Sequence, residues 1–113
     1  MLILPIKKKW FDMIASGEKK EEYREIKPYY DIRIGRALGS CGSLSQCVPE
    51  WRKKLMEDRT LDVIFRNGYG CDVPTLWATC KVRIGKGKTE WGAEEGKQYY
   101  VLKILEVEKV DDE

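Results

Sequence analysis

Lys19, Glu22 and Arg24 fall close together in the segment Gly17-Glu18-Lys19-Lys20-Glu21-Glu22-Tyr23-Arg24. An ammonium, a carboxylate and a guanidinium at that spacing can bind an anion, move a proton or hold the amino group of a base. The segment follows a short amphipathic pattern, Lys7 to Ser16, and reads as a strand, yet both of its faces carry charge. One face shows Lys19, Glu21 and Tyr23, the other Lys20, Glu22 and Arg24. A half-buried strand alternates apolar and polar residues. Charge inside such an element is costly unless it is paired or meets a ligand. Glu22 therefore has two readings: an internal ion-pair partner for Arg24, or an acceptor for a ligand's exocyclic amine. In a regular strand Lys19 points away from Glu22, so the two share one cleft only if Lys19 lies in the turn after Gly17.

A second cationic group precedes the first helix. Lys7, Lys8 and Lys9 sit at a helix N-terminus, where the macrodipole disfavours cations but the orphan N–H groups favour an anion. Together they form either a phosphate site or a solvated lysine run. Among the aromatic residues, Trp10, Phe11, Phe65 and Tyr99 have the spacing of core positions. Tyr69 and Trp91 stand in Gly-flanked stretches (Asn67-Gly68-Tyr69-Gly70 and Trp91-Gly92), where no periodicity assigns them to a core. They are the better candidates for stacking on a base. Trp77 shares a strand face with Lys81 and Arg83 and is a third. Gly85-Lys86-Gly87-Lys88 reads as a basic hairpin tip, and its G-x-G is no dinucleotide fingerprint because no helix follows.

Composition limits the chemistry. The 113 residues suffice for one domain, and 42% hydrophobic with 35% charged content describes a globular chain. A net charge of +2 is too small to imply a nucleic-acid partner by itself, so any electrostatic footprint must be local. The chain has no histidine, which removes Ser-His-Asp and Cys-His catalysis and leaves Glu, Asp, Lys, Tyr or Cys for proton transfer. Cys41, Cys47, Cys71 and Cys80 form no C-x-x-C pair, so neither a metal nor another cofactor is expected. Cys80 lies on the apolar face of a strand, while Cys41 and Cys47 flank a Gly/Ser-rich stretch and could pair if oxidised. No apolar run approaches a membrane span, and the start lacks a signal pattern, so a cytoplasmic protein with no membrane partner is expected.

The elements that must position these residues follow from periodicity. Leu2 to Ile6 is a short apolar strand, and Gly17 closes the helix after it. Pro28 starts a second helix through Leu38. Residues 39–59 form an insert, with a small-residue loop followed by a Pro49-initiated helix ending at Arg59. Leu61 to Arg66 and Leu76 to Ile84 alternate as half-buried strands. Gln98 to Val107 is apolar on both faces, as a central strand would be. Residues 111–113 are an acidic tail. The expected fold class is α+β: one domain over residues 1–113, with a five- or six-stranded mixed sheet curled around Phe65, Val82, Val101 and Leu102. A few short helices accompany it, the first of them closing one end.

The G-x-K-x-x-E-x-R pattern of Gly17 to Arg24, directly after a short helix, resembles the ASCH domain, a member of the PUA-like superfamily. Leu4-Pro5-Ile6-Lys7-Lys8-Lys9-Trp10-Phe11, Tyr23-Arg24-Glu25-Ile26-Lys27-Pro28-Tyr29, Phe65-Arg66-Asn67-Gly68-Tyr69-Gly70 and Trp91-Gly92-Ala93-Glu94 extend the resemblance over most of the chain. It implies a PUA-like pseudo-barrel whose cleft binds RNA or nucleotides. Lys7, Lys8, Lys9, Lys19, Arg24, Arg66, Asn67, Tyr69 and Trp91 are then the expected contacts. Some members resemble amidohydrolases that deacetylate acetylated cytidine with a Lys, a Thr and a Glu. Lys19 stands at the lysine position and Glu22 where those members have threonine; Glu94 is a candidate third residue, beside Glu90 and Glu95. Three function classes follow: an RNA- or nucleotide-binding module, a hydrolase (amidohydrolase or ribonuclease) using Lys19 and Glu22, and a protein-interacting accessory domain.

Overall fold

A computed structural model describes residues 2–37, 60–68 and 72–110 of the chain. The expected loop and helix of the insert, Cys41, Cys47, Tyr69, Cys71 and the acidic tail lie outside the described residues. The described chain runs β1 (Leu2–Ile6), α1 (Lys8–Ser16), β2 (Glu21–Arg24), α2 (Pro28–Ala37), β3 (Thr60–Asn67), β4 (Thr75–Lys86) and β5 (Gln98–Val110). The class is α+β, with five strands in one mixed sheet ordered β1-β3-β4-β5-β2. β1 runs parallel to β3, and the other neighbours are antiparallel.

Alternation builds the inner face. Leu61, Val63 and Phe65 of β3 and Leu76, Ala78, Cys80 and Val82 of β4 are all buried, against Phe11 and Ile14 of α1 and Ile34 of α2. Each large apolar side chain among them stabilises the fold by about 1.5–3 kcal/mol relative to exposure. Pro5 is tolerated inside β1 because that strand is an edge, where a missing N–H leaves no ladder bond unmade. α1 ends at Gly17, whose left-handed φ of 86° lets its N–H reach the Ile14 carbonyl. The Lys19 N–H then turns back to the Met13 carbonyl at 2.9 Å, which fixes where the charged segment leaves the helix.

β5 buries both faces, in two separate clusters. Tyr100 and Leu102 join the main core, whereas Tyr99 and Val101 pack with Ala93 and Tyr23 on the other side. Val101 therefore does not belong to one core with Phe65, Val82 and Leu102, because successive strand side chains point to opposite faces. The Tyr100 hydroxyl donates to the buried Asp31 carboxylate, which ties α2 to the sheet. The connection from β4 to β5, residues 87–97, is no tight basic tip. Thr89–Trp91 form a short 3₁₀ turn, and Gly87 lies flat on Tyr23, where a Cβ would stand 2.5 Å from the ring.

β1 and β2 are the two edges of the sheet, yet they meet. Arg24 of β2 donates from Nη2 to the Pro5 carbonyl of β1 at 3.1 Å. The sheet is curled until a single side chain spans the gap between its edges, aided by a register shift at Thr79/Cys80 in the β4–β5 pairing. The charged segment sits at this seam.

Candidate functional site

At the seam, Glu22 holds two cations. Its Oε1 accepts from Lys19 Nζ at 2.9 Å and its Oε2 from Arg24 Nη2 at 2.8 Å. Lys19 is not part of β2, which begins at Glu21, so the strand alternation that would turn it away from Glu22 does not apply. Its ammonium also donates to the Glu21 carbonyl and lies 5.4 Å from the centre of the Trp10 ring and 5.1 Å from that of Tyr23. The Lys19 side chain is fully buried. Burial holds its pKa below the ordinary 10.5, an effect that the neighbouring Glu22 carboxylate opposes. Burial acts the same way on Arg24, but Glu22 and the Tyr30 hydroxyl outweigh it and raise the guanidinium pKa overall. Arg24 Nη1 donates to Tyr30 at 3.1 Å, while its buried Nε–H has no partner. Two cations on one carboxylate leave the cluster with one excess positive charge.

Beside the cluster opens a cleft of about 570 Å³. β1 contributes Pro5 and Ile6, the start of α1 contributes Lys7, Lys8 and Trp10, and β2 contributes Glu22, Tyr23 and Arg24. Asn67 and Gly68 at the end of β3, with Trp91 and Gly92 of the β4–β5 connection, complete the wall. Lys8 is paired with Asp12 and Arg24 with Glu22, so Lys7 and the excess charge of the cluster are what favour an anion there. Tyr23 is locked in place: its hydroxyl donates to Glu21 Oε1 at 2.7 Å and accepts the Lys88 N–H at 2.9 Å. Burial above all raises its pKa, so it remains a neutral phenol.

No family model, curated protein or solved structure matches this chain.

Lys7, Lys8, Glu22, Arg24, Asn67 and Trp91 of the expected site residues come together in the cleft. Four others do not. Lys19 stands behind the wall and offers no surface to a phosphate. Lys9 lies over the Trp10 ring at 4.6 Å and is not a lining residue, nor is the half-buried Arg66. Tyr69 is outside the described residues. Glu94 is exposed and faces a neighbouring hollow, not the cleft. Trp77 is 42% exposed but shares its surroundings with Asp62, Glu106 and Glu108 instead of Lys81 and Arg83, so the cationic stacking face expected there is acidic. Among the described residues no group of three His, Cys, Asp or Glu could hold a metal ion, and no helix is long and apolar enough to cross a membrane.

Periodicity missed Trp10 and Tyr23. Trp10 has core spacing but lies at the edge of the buried stripe, half-exposed to the cleft, with Lys8 bonded to Asp12 beside it at 2.7 Å. Gly92 carried the available signal. It has a φ of 101°, and a Cβ there would stand 3.1 Å from Trp10 Cζ2. Gly92→Ala is therefore expected to cost about 1–2 kcal/mol through left-handed strain alone, and to displace the Trp10 ring. Urea unfolding together with Trp fluorescence would read both effects, and a variant as stable as the parent would refute the packing argument.

As chemistry, the cluster suits binding better than proton transfer. Both Glu22 oxygens already accept from cations, and only their remaining lone pairs face a ligand. Lys19 could stabilise an oxyanion only if the Trp10 and Tyr23 rings moved aside.

Proposed function

We propose that the protein is an ASCH-like module with a PUA-like pseudo-barrel that binds single-stranded RNA or a nucleotide in the cleft between α1, β2 and the β4–β5 connection. One observation carries this reading: Lys7, Lys8, Trp10 and Trp91 surround the opening while Glu22 and Arg24 line the same cleft. The chemistry then divides. Lys7 and Lys8 neutralise phosphates, and the helix start behind them adds unpaired N–H groups. Trp91 and Trp10 supply faces on which any base can stack. Glu22, fixed by two cations, accepts from an exocyclic amine, and the excess positive charge behind it favours the anionic ligand.

Short RNAs are expected to bind with Kd of ~1 to ~100 µM, weakening as salt rises from about 50 to about 200 mM. Replacing Lys7 and Lys8 with Ala should reduce the slope of log K against log salt by about 1.4, the share of two phosphates on a single strand. Lys9→Ala should leave the slope unchanged, since Lys9 does not line the cleft. Trp91→Ala should cost about 1–3 kcal/mol at every salt concentration. Fluorescence anisotropy with labelled oligonucleotides measures all four. Absence of binding at low salt, or a slope indifferent to Lys7 and Lys8, would defeat the proposal.

A further inference from the structure

A second hollow of about 330 Å³ adjoins the cleft, and the two share Tyr23, Arg24 and Gly92 as a common wall. We infer that the groove takes two consecutive nucleotides of a single strand, one in the cleft and the next in this hollow, with the linking phosphate over Arg24. The inference rests on the nucleotide-binding reading of the cleft.

The hollow repeats the chemistry of the cleft with different residues. Lys27 lies over the Tyr30 ring at 5.5 Å, and Lys97 lies over the Tyr99 ring at 5.3 Å. These two cation–aromatic pairs come from different elements, the first from the entry to α2 and the second from the entry to β5. Tyr99 is only 7% exposed and closes the wall, so the half-buried Tyr30 beside Lys27 is the aromatic face that seats a base, with Lys97 free for its phosphate. Both rings are held by their hydroxyls: Tyr30 accepts from Arg24 Nη1, and Tyr99 accepts the Glu94 N–H at 3.0 Å. Tyr29 braces Tyr30 edge-on at 4.9 Å, so the platform is rigid before any ligand arrives. Neither Lys27 nor Lys97 is in an ion pair among the described residues. Glu25 and Glu94 also face the hollow and balance Lys27 and Lys97, so its excess positive charge is the one left by Lys19 and Arg24 on the single carboxylate Glu22.

Arg24 explains why the two hollows act as one groove. It lines both, and although its nitrogens are turned inward to Glu22, Tyr30 and the Pro5 carbonyl, its fixed positive charge lies beneath the shared wall. A phosphodiester that joins two bases across the ridge brings acceptor oxygens to this cation.

The test compares the four nucleoside 5′-monophosphates with the matching 5′-phosphorylated dinucleotides, titrated into the full chain by calorimetry. The dinucleotide of the preferred base should bind about tenfold more tightly than its monophosphate, as one additional nucleotide held through its phosphate by Lys27 and Lys97 would require. Lys27→Ala with Lys97→Ala should abolish that gain and leave the monophosphate within about twofold of the parent value. Both lysines are exposed, so the fold should survive the double change. A monophosphate that binds as tightly as the dinucleotide would overturn the second subsite and leave the cleft reading intact. A gain that persists in the double variant would overturn it as well. Failure of every mono- and dinucleotide to bind would overturn both.

Discussion

Glu22→Gln is expected to destabilise the protein by about 3–5 kcal/mol, whereas Lys19→Met should cost less than about 1 kcal/mol. The asymmetry follows from the arithmetic of the cluster. Glu22 is the single carboxylate between two buried cations. Removing its charge leaves an ammonium and a guanidinium facing one another with no counter-charge and little water. Removing Lys19 instead leaves Glu22 and Arg24 as a balanced pair, and methionine fills much of the same volume under Trp10. Such a loss at Glu22 is a large share of the 5–15 kcal/mol that typically separates a folded domain from its unfolded chain. It also falls at the seam, where Arg24 joins β2 to the Pro5 carbonyl and so helps hold the curl of the sheet. Combining the two changes should recover part of the loss, because only Arg24 is then left unpaired. Urea unfolding of the parent, the two single variants and the double variant measures the coupling. A Glu22→Gln protein within about 1 kcal/mol of the parent would show that water reaches the cluster and screens it.

The charged segment also shows how far residue types alone could carry the reading. Period-two alternation located β3 and β4 and their buried faces, since Leu61, Val63 and Phe65 leave no other register in which they are covered. Gly17 marked the end of α1 for a local reason, its left-handed backbone. The apolar pattern of β5 was legible as burial on two sides, but its division into two clusters depends on what covers each face. Of the covering residues, Tyr23 is distant in sequence, and Ala93 is brought over by the turns of the 87–97 connection. The charges of β2 singled out the segment without its geometry. Whether Lys19 stands in the strand or before it depends on a backbone bond to Met13, and the seam depends on the carbonyl of Pro5. Carbonyl groups are the same in every residue, so their use leaves no trace in composition. Trp10 was assigned to the core on helical spacing, which gives the side of α1 that packs inward. Spacing does not say where that side ends, and Trp10 is at its boundary.

Two buried groups should make stability depend on pH in opposite senses. Lys19 has a folded pKa below its ordinary 10.5, because burial penalises the ammonium more than Glu22 favours it. Between the depressed value and 10.5 the unfolded chain carries a proton that the fold has released. The unfolded state then binds more protons, so stability rises with pH through that window, by at most about 1.4 kcal/mol per pH unit. Cys80 works the other way. Burial, with Asp62 and Glu22 nearby, pushes its thiol from 9.0 up to about 12. Above pH 9.0 the unfolded chain loses a proton that the fold retains, so stability falls, by up to about 4 kcal/mol once pH 12 is reached. Tyr23, also raised by burial, adds to the fall above its ordinary 10.0. The parent curve mixes these effects, and the variants separate them. Lys19→Met should remove the rise and leave the alkaline fall, whereas Cys80→Ala should flatten the fall between pH 9.0 and 10.0, before Tyr23 contributes. Urea midpoints from about pH 7 to about pH 11 give each difference curve directly. If the Lys19→Met curve runs parallel to that of the parent up to pH 10.5, the Lys19 ammonium is not desolvated. The cluster would then lack the strongly felt buried charge on which both the Glu22 asymmetry and the pull of the cleft on an anion depend.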